Sequence, residues 1–384
     1  MKPKRKVIAD QDSWVIANKQ VRLAVTKLGG HMAPVTFARD TDKPVKPYYV
    51  SPWQKEGLKI DEPVLVPLRG DFFCMPFGAP STCGDHSYVC HGEPATARWK
   101  CKGVKADGDV TRLTMTMKTK RPQGRITKRL HLLAGHNVVY VQHVLEGYSA
   151  AVSLGHHATL AVPEKEGSLR VATSPFRLGM TNPGVVGDPA ERQYQSLAMG
   201  EAFTSLTRVP LLFKKPATAD CTSFPARTGF TDLLGVFPKP EEVPAWTAAT
   251  LAEEGFLWFS LKDPAVLPAT IFWISNRGRH NSPWKGRNRC LGLEDVCGYF
   301  ADGLAASAQK NLLNEAGIPT VVKLSKKVPT TINYIQGVVK VPPEFECVKT
   351  ASFAPGEVTF TSVSGQAVTA KVCHEFLAGG AIST

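Results

Sequence analysis

Apolar and polar positions alternate with a period of two over much of this chain. The pattern is clearest at residues 20–26 (QVRLAVT), 110–118 (VTRLTMTMK), 124–133 (GRITKRLHLL) and 136–147 (HNVVYVQHVLEG). Alternation sends successive side chains to opposite faces, so these segments are predicted to be half-buried strands. Residues 256–261 (FLWFSL), 269–275 (ATIFWIS), 331–339 and 357–363 are further strand candidates. Turn formers punctuate them closely, with 32 glycines and 29 prolines in 384 residues. Helix signals are few: Asp302 can cap one amphipathic stretch through Leu313, which Gly317 and Pro319 stop. Strands and helices do not alternate as units, which disfavours doubly wound and barrel folds. The pattern predicts an all-β, antiparallel protein with sandwich layering. We expect one domain over 1–384, with an N-terminal extension (1–18) and a loop-rich insertion at about 163–225.

Composition narrows the partners. Hydrophobic residues make up 43% of the chain, as in globular proteins, and no run reaches the roughly 18 apolar residues of a membrane-spanning helix. The basic start MKPKRKVIADQDSW has no apolar segment behind it, so no secretory signal is expected and a cytoplasmic location is. The net charge of +13 is spread along the sequence without a recognised nucleic-acid motif, so no nucleic-acid partner is expected. A basic surface or an anionic substrate accounts for that charge instead. Nine cysteines without a C-x-x-C pair read as reduced structural thiols. Cys83, His86, Cys90 and His91 have a spacing that could ligate a metal, but short loop segments match such spacings by chance, and no metal is expected.

Four segments carry candidate chemistry. Residues 69–78 (RGDFFCMPFG) and 91–99 (HGEPATARW) combine Arg69, His91 and Arg98 with glycines that permit tight turns. Residues 154–164 (LGHHATLAVPE) hold two adjacent histidines, of which strand alternation lets only one face a given pocket. In 290–300 (CLGLEDVCGYF), Glu294 lies among apolar neighbours. It is a candidate base, a structural ion-pair partner or an outward-pointing side chain. The run 275–289 (SNRGRHNSPWKGRNR) carries Arg277, Arg279, Lys285, Arg287 and Arg289 and no acidic residue. It reads as a solvated loop or, with Trp273 and Trp284 nearby, as the rim of a pocket for sugar rings and anionic oxygens.

RGDFFCMPFG resembles the RGG-I-P-x-x-x-P-x-F-G segment of aldose 1-epimerase-like proteins, nearest the hexose-6-phosphate epimerase branch. HGEPATARW is similar to that branch's HGFARxxxW, GHHATLAVPE to its L-H-T-Y-F-A-V-x-D, and GLEDV to its C-V-E-P. The matches keep the family's order. They depart from it at Asp71, at Ala95 and in the Ala-Thr-Leu that follows His157. The resemblance implies a galactose-mutarotase-like antiparallel β-supersandwich and an isomerase that interconverts the anomers of a sugar or anionic sugar derivative without a cofactor. It makes His157 the general acid and Glu294 the general base. It makes Arg69 and His91 substrate-binding residues, with Asp232 the best candidate for the family's mid-chain aspartate. We add Arg98, Trp273 and Arg287 as candidate sugar contacts. The competing expectation is a carbohydrate-binding or sensing protein on the same fold.

Overall fold

The computed structural model describes residues 3–382. Two large antiparallel sheets form its body. The nine-stranded sheet collects most of the alternating segments, among them Val110–Lys120, Gln123–Leu133, Val138–Glu146, Phe256–Lys262 and Thr330–Lys340. The seven-stranded sheet runs in the order Ala202–Phe203, Phe176–Thr181, Phe230–Pro238, Ala269–Asn276, Arg289–Cys297, Leu154–Ala161 and Phe73–Cys74.

Alternation explains the layering. Leu113, Met115, Ile126 and Leu130 of the nine-stranded sheet meet Leu234, Phe272, Leu291 and Leu293 of the seven-stranded sheet in one buried cluster. Each such side chain contributes about 1.5–3 kcal/mol by leaving water. The outer face of the nine-stranded sheet, with Tyr140, Trp246 and Phe259, is covered by a small sheet of Val348–Ala354, Glu357–Ser362 and Ala367–Lys371. The predicted strand at 357–363 belongs to this cover. Loops bearing Trp53, Val64, Leu68 and Trp284 pack on the outer face of the seven-stranded sheet. Central strands of that sheet are therefore buried on both faces, which is why Ala269–Asn276 is apolar at positions where alternation would place polar residues.

Three expectations are modified. The segment 163–225 is more than loop, since Leu169–Thr173 joins the nine-stranded sheet and Phe176–Thr181 the seven-stranded one. The N-terminal stretch forms a hairpin, Lys4–Ile8 with Gln11–Ala17, in a four-stranded sheet. The expected helix is two short ones, Gly303–Ala308 and Leu312–Glu315. Asn311 caps the second through the amides of Leu313 and Asn314, while Asp302 makes no capping bond to the first. No helix among the described residues is long and apolar enough to cross a membrane.

Candidate active site

The strands Leu154–Ala161 and Arg289–Cys297 are neighbours in register, pairing His157 with Glu294 and His156 with Asp295. Because strand neighbours alternate, these four side chains divide between two faces. His157 and Glu294 point outward, into a cavity of about 400 Å³ that Phe72, His91, Trp273, Trp284 and Arg279 also line. That volume suits a small molecule. His156 and Asp295 point between the sheets. His156 Nδ1 lies 3.0 Å from Asp71, and Asp295 accepts hydrogen bonds from Lys262 (2.7 Å), Ser260 (2.8 Å), Thr270 (2.7 Å) and Tyr334 (2.8 Å).

In the cavity, His157 Nε2 is 3.0 Å from Glu294 Oε1, and its Nδ1 is 3.1 Å from Thr159 Oγ1. The imidazole stacks on Phe72 at 4.5 Å, and Phe72 stacks on buried His31 at 4.0 Å. Trp273 meets the other side of His157 edge-on at 5.7 Å. These contacts fix the ring plane before any ligand arrives. Gly292 makes room for the pair, since a Cβ there would lie 2.7 Å from Glu294 Oε1 and 2.9 Å from the Trp273 Cβ. Glu294 Oε2 is buried and has no hydrogen-bond partner among the described residues.

Burial pushes the Glu294 carboxyl well above its ordinary 4.5. Burial also pushes the His157 imidazole well below 6.5, with His91 and His31 adding to that direction. Both shifts disfavour charge. Together they favour the form in which a neutral carboxyl and a neutral imidazole share one proton. Moving that one proton across 3.0 Å gives carboxylate and imidazolium, a ready base beside a ready acid.

His91 enters the cavity through an unusual backbone. It has a positive φ of 57°, its Nδ1 accepts from the Gly78 amide at 3.3 Å, and its ring lies 5.0 Å from that of His157. Burial holds its pKa near 4, so it meets a ligand as a neutral imidazole. Gly92 behind it has φ +74°, and a Cβ there would meet the Met75 carbonyl at 2.1 Å, which locks the two glycine-bearing motifs together. Cys90 also lines the cavity, whereas Cys83 and His86 sit on the small hairpin Ser81–Cys83 with His86–Tyr88. Among the described residues no group of three or more His, Cys, Asp or Glu side chains is placed to hold a metal.

The remaining candidates lie elsewhere. Arg69 is fully buried beneath the sheet and spends its guanidinium on the carbonyls of Pro67 (3.1 Å), Ile8 (2.8 Å) and Ala9 (2.9 Å) and on Gln54. Four of its five N–H donors are thus committed within the protein, and the side chain does not line the cavity. Asp232 is likewise buried, accepting from the Ser196 and Leu197 amides at 2.7 and 2.9 Å and from the Ser196 hydroxyl at 2.7 Å, while its neighbour Leu233 lines the cavity. Arg98 is exposed at a bridge to Leu28, outside the cavity. Arg287 is outside it too and pairs with Glu56. The motifs therefore place His91, His157, Trp273 and Glu294 together and the other four apart. Phe72, Arg279, Asn182, Glu62 and Asp302 are among the other lining residues. Of these, Phe72 stands within the motif 69–78 and Arg279 within the arginine run 275–289.

No family model and no curated protein matches the sequence. Solved structures do match in shape. A Klebsiella pneumoniae protein provisionally named an aldose 1-epimerase superposes with a TM-score of 0.61 at 13% identity, over 88% of this chain and 83% of that one. A Salmonella typhimurium protein provisionally named a mutarotase gives 0.58 at 12%, over 88% and 94%. A galactose mutarotase-like protein from Lactobacillus casei gives 0.53 at 10%, over 85% and 100%. The fold of this chain is that of galactose mutarotase-like proteins, as the motif resemblance implied.

Proposed function

We propose that this protein is an isomerase of the aldose 1-epimerase type, interconverting the α and β anomers of a small sugar. The observation that carries the reading is the His157–Glu294 pair, closed at 3.0 Å, with Glu294 Oε2 buried and unpartnered in a cavity walled by Trp273. A buried carboxylate oxygen without a donor is a position for a ligand hydroxyl.

The pair carries one transferable proton. With a pyranose bound, Glu294 as carboxylate takes the proton of the anomeric hydroxyl while His157 as imidazolium protonates the ring oxygen. The C1–O5 bond breaks, the anomeric oxygen becomes a carbonyl, and the open aldehyde turns about C1–C2. Closure reverses both transfers and gives the other anomer. The proton count of the pair is the same before and after. Trp273 offers a face to the C–H side of the ring, and neutral His91, whose Nδ1 accepts from the Gly78 amide, donates through Nε2–H to a sugar hydroxyl.

The test is magnetisation exchange between anomer signals over a panel of aldoses, uronates and sugar phosphates. Enhanced exchange that disappears in Glu294→Gln supports the reading. A second reading, carbohydrate binding without turnover, draws on the internal use of Arg69 and Asp232, which the resemblance had assigned to substrate. Ligand binding without enhanced exchange across the panel selects it.

A further inference from the structure

Four of the five cationic side chains in the run 275–289 have acidic partners. Arg277 and Arg289 reach Glu164 at 3.8 and 3.3 Å, Lys285 reaches Glu56 at 3.3 Å, and Arg287 pairs with Glu56 as well. Arg279 is the exception. It lines the cavity that holds His157 and Glu294, and its guanidinium carbon lies 5.2 Å over the Trp284 ring. Its Nε is buried without an acceptor, and among the described residues its side chain has neither a hydrogen bond nor an ion pair.

An arginine does not lose its proton, and the buried Nε has no acceptor, so an anion that accepts from this guanidinium would complete its bonding. We propose that Arg279 is the receptor for a carboxylate on the substrate, and that the preferred substrate is a sugar acid of the hexuronate class. This rests on the anomer-exchange reading above. Arg279 is the one Lys or Arg of the cavity lining, which includes the carboxyls of Glu62, Asp302 and Glu294. One planar fork matches one planar carboxylate through two parallel N–H···O bonds. A phosphate dianion would bring a second negative charge that no other cation of the lining meets.

The aromatic side chains set the spacing. Trp284 lies 5.9 Å from Trp273, which lies 5.7 Å from His157. Two indole rings, edge-to-face at 75°, thus separate the guanidinium from the acid–base pair, and their faces line the wall between the two ends. The anomeric carbon sits at the His157 end and the carboxylate at the Arg279 end.

The experiment compares a hexuronate, the matching neutral hexose and its 6-phosphate in two measurements, anomer exchange and calorimetric binding. Each is made on the wild-type chain, Arg279→Gln and Arg279→Lys. The expected result is a preference of about 10-fold or more for the uronate. Arg279→Gln should collapse that preference by roughly 10- to 100-fold, the range for losing charge-assisted hydrogen bonds, and Arg279→Lys should restore part of it. Equal handling of uronate and neutral hexose, an unchanged ratio in Arg279→Gln, or a preference for the 6-phosphate overturns the proposal. Absence of exchange with every sugar overturns the catalytic reading instead. In that case Arg279-dependent uronate binding still supports the carboxylate site, and its absence refutes it.

Discussion

Lys262→Met should be among the most destabilising single substitutions in the chain, although Lys262 never touches the cavity. Lys262 and Asp295 are both about 2% exposed or less, and the ammonium lies 2.7 Å from the carboxylate. It also donates to the Ala269 carbonyl at 2.6 Å and to Thr270 at 2.7 Å. Burial alone would raise the Asp295 pKa, but Lys262, Thr270 and Tyr334 outweigh it and hold the group below its ordinary 3.8. Methionine preserves much of the volume and removes the charge, leaving a buried carboxylate with three neutral donors. Removing one partner of such a pair destabilises by about 3–5 kcal/mol. With an unfolding entropy of about 2.1 cal/mol/K per residue, 384 residues give ~0.8 kcal/mol/K, so the melting temperature should fall by roughly 4–6 °C.

The same argument fixes the sign with pH. In the wild type the folded pKa of Asp295 is lowered, so its contribution is present above the unfolded value of about 3.9 and fades as pH falls through the folded one. Without Lys262 burial dominates and the folded pKa rises above the unfolded value. The contribution then changes sign, and stability is lost as pH increases. Urea denaturation of both proteins between pH 5 and 8 should show a gap that widens with pH. Replacing both residues, Lys262→Met with Asp295→Leu, should recover most of the loss. A gap independent of pH, or a double variant as unstable as the single one, would show that packing and not the unpaired charge is responsible.

The other predictions concern the site and its surroundings. His157→Ala and Glu294→Gln should each slow anomer exchange by roughly 10²- to 10⁴-fold with the fold retained by circular dichroism, whereas His156→Ala should lower thermal stability more than rate. Equal rate losses at His156 and His157 would contradict the division of faces. The exchange rate should be bell-shaped in pH because the active pair holds one proton. Its acid limb belongs to His157, whose pKa lies below 6.5, and its alkaline limb to Glu294, whose pKa lies above 4.5; Glu294 limbs that appear on the acid side in assigned titrations would refute this. Arg69→Met should destabilise by about 2–4 kcal/mol, because it removes the donors to the Ile8, Ala9 and Pro67 carbonyls and to Gln54, and a change in KM without loss of stability would return Arg69 to the substrate.

How far the site was legible follows from what a one-dimensional pattern contains. Alternation places His156 and His157 on opposite faces whatever the fold, and a carboxylate at position 294 among Leu291, Leu293 and Val296 is suspicious on solvation grounds alone. The register that brings His157 opposite Glu294 joins strands more than a hundred residues apart, and nothing local in either strand encodes it. Arg69 and Asp232 fail for a different reason. Most of their partners are main-chain groups, the carbonyls of Ile8 and Ala9 and the amides of Ser196 and Leu197, which every residue possesses and no side-chain motif marks. Arg279 and Arg287 are the reverse case. They are equivalent in the sequence, yet the fold turns Arg279 into the cavity and brings Glu56, far away in the chain, to Arg287.

The doublets His156-His157 and Glu294-Asp295 show what selects one register over its neighbour. A slip by one residue would bring Asp295 to the cavity and Glu294 between the sheets, exchanging one carboxylate for another of nearly the same chemistry. Hydrophobic patterning resists this slip weakly, because the strand is buried on both faces. The inner polar groups resist it strongly. Lys262, Ser260, Thr270 and Tyr334 converge within 2.7–2.8 Å on the shorter Asp295 side chain, and Asp71 waits for His156 at 3.0 Å. Glutamate in that place would have to fold an extra methylene into a closed shell, and the corresponding slip of Leu154–Ala161 would take His156 away from Asp71. The charges buried between the sheets thus determine which carboxylate and which imidazole face the cavity, so that the pair proposed for catalysis is set by residues it never touches.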